Sequence, residues 1–346
     1  MCKKKELIRG ILKSSEKPKI TALITLFNSE NYINTAVKSV QNQLFSDIEI
    51  LLVNDASVDN SSKIIKKLKD EDKRIKIITN KKNRGALYSK SIGILKAIGQ
   101  FIMILDSDDL FVNENIFNIC YTEATQKDID LIEFSGYYLE NSYFQLNKNP
   151  QIPHYLNFKK HNEYIKQPDL SYFIYKKLGK NSYKLIDGFL CGKCIKSSIF
   201  KMTLKILGSN LYRRKMNYGD DRLINFILFK VANSFKYIQE YGFVYNYNNN
   251  SITHLNSYIN NCHDELINIL SLYNYTKNTK ESEIVAYEID FRWDFIIYPG
   301  IDLNNYKILK KLINELLLEH YISLNYKIKL LSFSYNLSEL KRNELL

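Results

Sequence analysis

The chain has no run of about eighteen apolar residues, the length a helix needs to cross a bilayer, which argues against a membrane-spanning protein. Its five cysteines (Cys2, Cys120, Cys191, Cys194 and Cys262) are too few for a disulfide framework in 346 residues. Their odd number fits a reducing compartment. The amino terminus from Met1 to Glu6 is basic, but Arg9-Gly10 and Lys13-Ser14-Ser15 follow it where a secretory signal would place an apolar stretch. The expected location is therefore cytoplasmic, with a basic surface open to peripheral contact with an anionic membrane. With only 12 glycines and 5 prolines, no linker marks a domain boundary, and no internal repeat is visible. Nucleic-acid binding motifs are missing too. The formal charge of +12 comes from lysines spread along the whole chain, beside equally over-used Asn, Ile and Tyr, so no nucleic-acid partner is expected.

What is present is an ordinary globular composition, 45% hydrophobic and 25% charged, long enough to bury a substantial core. The first third alternates apolar, β-branched runs with helical patterns. Residues 20–26, 48–53, 75–78 and 101–105 read as strands buried on both faces. Between them, Ile33, Val37, Val40 and Leu44 recur at helical spacing after Asn28-Ser29, read as a cap. Ile64, Ile65 and Leu68 follow Asp59 and Asn60, and a third helix spans Gly85 to Ala97. Strands separated by such helices predict βαβ units with right-handed crossovers, a Rossmann-like open α/β sheet. Sheets of this kind bind ligands outside the carboxyl ends of their strands. Those ends carry Asn28, Asn54-Asp55, Asn80 and Asp106-Ser107-Asp108-Asp109. Beyond residue 135 the periodicity weakens. The stretch from Tyr137 to Tyr183 reads as insertions and helices lining an acceptor cleft, Phe235 to Tyr247 as a strand, and the chain from about Ser257 as helices.

These landmarks resemble the family 2 glycosyltransferases, inverting enzymes of the GT-A fold. The similarity runs in order through Thr21 to Asn28, Ser39-Val40-Gln41-Asn42-Gln43, Val53-Asn54-Asp55-Ala56-Ser57-Val58-Asp59, Asn83-Arg84-Gly85 and Leu105-Asp106-Ser107-Asp108-Asp109. Later, Gly192-Lys193-Cys194-Ile195 resembles the segment where members carry a lysine before a short strand and helix. Gly219-Asp220-Asp221 resembles the Glu-Asp pair whose second member is the catalytic base, with Asp220 in place of Glu. The chain departs from the pattern at Ser89-Lys90-Ser91, where many members have Ala-Arg-Asn, so the donor contacts of that helix are not carried over. The resemblance implies a GT-A nucleotide-diphospho-sugar transferase fold with a mainly helical C-terminal extension. A basic segment over 1–17 would precede a glycosyltransferase domain over 18–255, with a nucleotide-sugar half (18–135) and an acceptor half (136–255), followed by helices over 256–346.

A nucleotide-sugar donor leaves as a diphosphate, and two carboxylates separated by one residue at a strand end can set a hard divalent cation against it. Asp106 and Asp108 suit Mn²⁺ or Mg²⁺, since the candidate ligands are oxygens; the competing reading is a polar turn capping a helix near Glu114. In the family pattern Asp108 is the direct ligand and Asp106 leans towards the ribose. Asp55 is placed to accept a hydrogen bond from a uracil ring, or else is a turn residue. With Asn28, Arg84, Gly85, Asp106 and Ser107 it makes the expected donor site. Asp221 is the expected general base, and a single base opposite the leaving group implies inversion; acidic residues also favour helix starts, and the two readings coexist. Cys191-Gly192-Lys193-Cys194 has metal spacing but no second pair, so buried, inert thiols are expected. His254 is read as a surface residue and Trp293 as a core or sugar-stacking ring.

The activity expected is transfer of a hexose or N-acetylhexosamine from a UDP-sugar to a hydroxyl of a saccharide, lipid-linked sugar or protein. The alternative is a non-catalytic nucleotide-sugar or glycan binding scaffold on a degenerate transferase fold. Nucleotidyl transfer is disfavoured because the first strand-helix turn has no Gly-rich basic phosphate loop.

Overall fold

Four β-branched runs become strands because each can bury both faces. β1 (Ile20–Leu26), β2 (Ile48–Asn54), β3 (Ile75–Thr79) and β4 (Phe101–Asp106) form a parallel array in the order β3-β2-β1-β4. The computed structural model describes residues 17–140, 164–166, 175–179, 182–185, 189–247, 262–291, 303–320 and 322–344. Their neighbours in sequence point to opposite sides. Ala22, Ile24, Leu52 and Met103 join one apolar cluster with α1 (Ile33–Gln41), α2 (Ser61–Glu71) and, further on, α4 (Ile116–Gln126). Leu23, Leu51, Val53, Ile102 and Ile104 join the other, with α3 (Ala86–Lys96).

Beyond β4 the sheet continues and changes polarity. β5 (Leu110–Phe111) follows the acidic run directly. β6 (Leu131–Glu140), β10 (Lys193–Lys196) and β11 (Ser234–Tyr247) then extend the sheet in the order β4-β10-β6-β11-β5. β10 is antiparallel to both β4 and β6, so its first residues arrive beside the last residues of β4. β7 (Tyr164–Lys166) pairs with β11, while β8 (Tyr175–Gly179) and β9 (Ser182–Leu185) form a separate hairpin. The described parts of the 137–183 stretch are thus strands, where helices were expected.

After β10 come α5 (Ser197–Leu207), the short α6 (Ser209–Tyr212) and α7 (Asp220–Val231). The carboxyl-terminal part is helical as expected: α8 (Cys262–Thr276), α9 (Ser282–Phe291), α10 (Leu303–Leu318) and α11 (Leu324–Glu344). Leu266, Ile269, Leu272, Ile284, Leu312 and Leu330 of these helices belong to the same apolar cluster as α3, α7 and that face of the sheet. Among the described residues no helix is long and apolar enough to cross a membrane. His254 and Trp293 lie outside the described residues.

One expected cap differs. The helix after β1 starts at Ile33, and Asn28-Ser29 is engaged elsewhere: the Asn28 Oδ1 accepts from the Val58 N–H at 3.0 Å, and the Ser29 N–H donates to Ser61 Oγ at 2.8 Å. Both residues tie the first strand-helix loop to the second.

Candidate functional site

The loops at the carboxyl ends of β2 and β3 are organised by one carboxylate. Asp55 is buried and accepts from the Asn80 amide at 2.7 Å, from the Arg84 N–H at 2.8 Å and from the Gly85 N–H at 2.7 Å. The Arg84 N–H is shared with the second oxygen at 3.0 Å, so each Asp55 oxygen accepts two contacts. Gly85 sits at φ 86°, and a Cβ there would lie 2.6 Å from the Met216 carbonyl oxygen; only glycine lets this loop touch the segment that leads into α7. Arg84 makes the same bridge: its Nη2 donates to the Arg213 carbonyl at 2.6 Å and its guanidinium lies 4.6 Å over the Tyr88 ring. Asn28, at φ 50°, borders this surface.

At the end of β4 the acidic run does not cap a helix. It turns directly into β5, and α4 begins only at Ile116. Asp106 and Asp108 are half-buried, while Ser107 is buried and shares a 2.7 Å hydrogen bond with Ser29. Asp109 points inward and accepts from the Asn246 N–H at 2.9 Å. The antiparallel entry of β10 brings in Cys191, whose thiol donates to Asp109 at 3.8 Å and to Asp106 at 3.9 Å. Single donor atoms of Asp106, Asp109 and Cys191 lie within 4.8 Å of one another. Burial pushes the Asp109 carboxyl and the Cys191 thiol well above their ordinary values, and the neighbouring carboxylates add to both shifts. Both groups therefore resist ionisation.

The centre of the site is Lys90, on the buried face of α3. Its ammonium donates to Asp221, lies 3.0 Å from Asp220 Oδ2 and 3.6 Å from Asp106 Oδ1. Burial alone would lower its pKa, but the three carboxylates outweigh it and hold the ammonium well above the usual lysine value. Burial raises the Asp220 carboxyl to about 7 against the pull of Lys90. Burial also raises Asp106, again opposed by Lys90. The second oxygen of Asp221 accepts from the Leu190 N–H at 3.2 Å. Leu190 is held in turn because the Phe189 carbonyl accepts from Lys193 at 2.7 Å and from Asn225 at 2.8 Å. Gly219, in the left-handed region at φ 72°, turns the chain so that Asp220 and Asp221 open α7.

The structure thus brings Asp106 and Asp221 to one ammonium, with Asp108 on the same strand end. Asp55, Arg84 and Gly85 form a second cluster at the other end of α3's first turn. Sequence reading gave no role to Asp109 or the Leu190 N–H, and treated Lys90 only as a departure from the family pattern. For Cys191 no local signal exists, since its contacts are 82 and 85 residues away in sequence. For Lys90 the signal was there: a cation stands where many members have arginine, and a buried cation needs acids around it.

Comparison with known proteins gives the family and the fold. The family model described as Glycosyl transferase family 2 matches residues 21–195, about half of the chain. Glycosyltransferase GlyG of Streptococcus pneumoniae is 34% identical over 119 residues, covering 34% of this chain and 39% of the relative. The uncharacterized glycosyltransferase EpsJ of Bacillus subtilis is 25% identical over 238 residues, covering 69% of this chain and 64% of the relative. In these matches the chain spans less than two thirds of each relative's length. Among solved structures, S. aureus TarS 1-349 in complex with UDP-GlcNAc superimposes with a TM-score of 0.65 at 15% identity, covering 94% of this chain and 92% of that one, which establishes a shared fold. The match over residues 21–195, half of the chain, means that the chain belongs to glycosyl transferase family 2.

Proposed function

We propose that the protein transfers a hexose or N-acetylhexosamine from a UDP-sugar, with inversion, to an acceptor hydroxyl of a saccharide, lipid-linked sugar or protein. The observation that carries this reading is the Lys90 ammonium, which joins Asp106 at the strand end to Asp221 at the start of α7. It sets a donor-side carboxylate and a candidate base on either side of one small volume. The similarity to a TarS structure holding UDP-GlcNAc supports a UDP-sugar donor.

In this reading Asp221 takes the proton from the acceptor hydroxyl as its oxygen attacks the anomeric carbon. The bond from that carbon to the UDP oxygen breaks on the opposite side, and its electron pair leaves with the diphosphate. The Leu190 N–H and Lys90 hold the Asp221 carboxylate in one orientation. Asp55 and the Arg84-Gly85 loop that it holds receive the nucleobase, with Asn28 and Ser107 bordering the same cleft. Residues 18–135 form the donor half, 136–255 the acceptor half and 256–346 the helical region, and the setting is cytoplasmic with a basic face turned to anionic membrane.

A divalent cation fits the donor set. Asp106 and Asp108 offer half-buried carboxylate oxygens at one strand end, whereas the adjacent Asp109 and Cys191 are buried, with Asp109 turned to the Asn246 N–H. That favours an oxygen-bound Mn²⁺ or Mg²⁺ over a thiolate-bound metal. Bound there, it would neutralise charge on the leaving diphosphate. The test is a pair of variants. Asp108→Asn is expected to abolish metal-dependent UDP binding, and full activity in that variant would refute the metal assignment. Asp221→Asn is expected to bind UDP normally and transfer nothing.

A further inference from the structure

The segment that delivers Asp220 and Asp221 is not held by the sheet. Between α6 and α7 the chain runs through Met216, Asn217, Tyr218 and Gly219 with no strand partner. Its inner side rests on Gly85, and the Leu87 N–H donates to the Met216 carbonyl at 3.2 Å. The backbone groups on its other side are taken by α8, beyond the residues the family model matches. The Asp264 carboxylate accepts from the Asn217 N–H at 2.9 Å and from the Tyr218 N–H at 3.2 Å. The Asn268 amide donates to the Tyr218 carbonyl at 3.2 Å, and a Cβ on Gly219 would fall 2.2 Å from that amide nitrogen. One residue after Asp221, the Arg222 guanidinium donates to Glu265 at 2.6 Å and lies 3.6 Å from Glu288 of α9. Asn268, Glu265 and Glu288 are fully buried, and Asp264 and Arg222 nearly so.

We propose that Asp264 and Asn268 are positioning residues for the transfer step: α8 fixes the left-handed turn at Gly219 and thereby the place of the Asp221 carboxylate. This rests on the reading of Asp221 as general base. The physics is that of near-attack geometry. A carboxylate that must meet a hydroxyl at hydrogen-bond distance loses much of its effect when displaced by about 1 Å. Two charge-assisted bonds from successive N–H groups to one carboxylate oxygen, with the turn's carbonyl bound one helical turn further along α8, hold the peptide groups on both sides of Tyr218. Asp264 and Asn268 bond the side of this segment opposite Gly85, so their loss should weaken transfer far more than nucleotide binding.

The experiment uses the full chain, with UDP binding in the presence of Mn²⁺ measured by calorimetry and UDP release from UDP-N-acetylglucosamine, water serving as acceptor, measured kinetically. Asp264→Ala is expected to bind UDP within about twofold of the parent while kcat falls roughly tenfold or more. Asp264→Asn keeps one acceptor oxygen and is expected to recover much of that loss, to about threefold below the parent. Should the alanine variant fail to fold, Asp264→Asn and Asn268→Ala carry the same test. Parental kcat in both Asp264→Asn and Asn268→Ala, or UDP binding lost in parallel with kcat, overturns the positioning role. Parental kcat in Asp221→Asn instead overturns the base assignment on which it rests.

Discussion

Lys90 shows how one side chain decides the electrostatics of a site. A buried ammonium beside Asp106, Asp220 and Asp221 is tolerated because it is paired, and the acids are tolerated because of it. Lys90→Met should therefore cost stability, about 3 kcal/mol by the usual penalty for orphaning a buried charge, and should reduce turnover at least tenfold. Urea unfolding and UDP-release kinetics measure the two effects. Lys90→Arg restores the cation that many family members carry and is expected to keep most of both; an inactive but stably folded arginine variant would contradict the view that charge alone matters there. The positions of Asp106 and Asp108 at a strand end and of Asp221 at a helix start were legible in the sequence, because the local pattern announces them. The Asp106–Asp109–Cys191 grouping was not, because it exists only through the antiparallel insertion of β10.

Secondary-structure elements show a similar division. The four parallel strands follow directly from their apolar runs, and the structure places them within a residue of the expected ends. The helix start after β1 could not be read, since Asn28 and Ser29 serve the β2–α2 loop, a choice made by tertiary contacts. Gly85 is a local necessity of the same origin: at φ 86° and against the Met216 backbone, Gly85→Ala is expected to lower stability by roughly 1–3 kcal/mol and to weaken UDP binding. Parental urea midpoint and UDP affinity in that variant would count against the close approach. At the carboxyl end of α2, Asp72 is held by the Arg74 side chain and by Gln41, and its pKa falls to about 2. A depressed carboxylate contributes stability above its unfolded value near 3.8, and that contribution disappears as pH falls towards 2. Asp72→Asn should remove about 1–2 kcal/mol at neutral pH and flatten the stability curve between pH 4 and pH 2 to the same extent, which acid titration of the urea midpoint would reveal.

At the scale of the whole molecule, the helical carboxyl-terminal part is continuous with the core behind α3 and α7. A chain ending after Tyr247 would expose the faces of Leu223, Phe226 and Ile227 that now lie in this shared cluster. Such a chain is expected to bind a hydrophobic dye and to unfold without a cooperative transition; a sharp, parental transition would show that the helices are dispensable. The helices themselves were legible from their periodicity, but their role was not. Asp264 and Asn268 lie some forty to fifty residues from the turn they hold. The mixed half of the sheet was hidden for the same reason, since β10 is four residues long and its place between β4 and β6 is set by its partners.

The polarity change at β10 also bears on how such a protein could diversify. Between β6 and β10 the described residues meet the sheet through β7, against β11, and at Phe189 Lys193 and Asn225 grip the carbonyl while Leu190 reaches Asp221. On the proposed reading, the grips on Phe189 and Leu190 fix the proton acceptor from the β10 side of the fold. If Asp221 is the base, a lineage could then alter which hydroxyl is presented to it without moving the group that takes the proton.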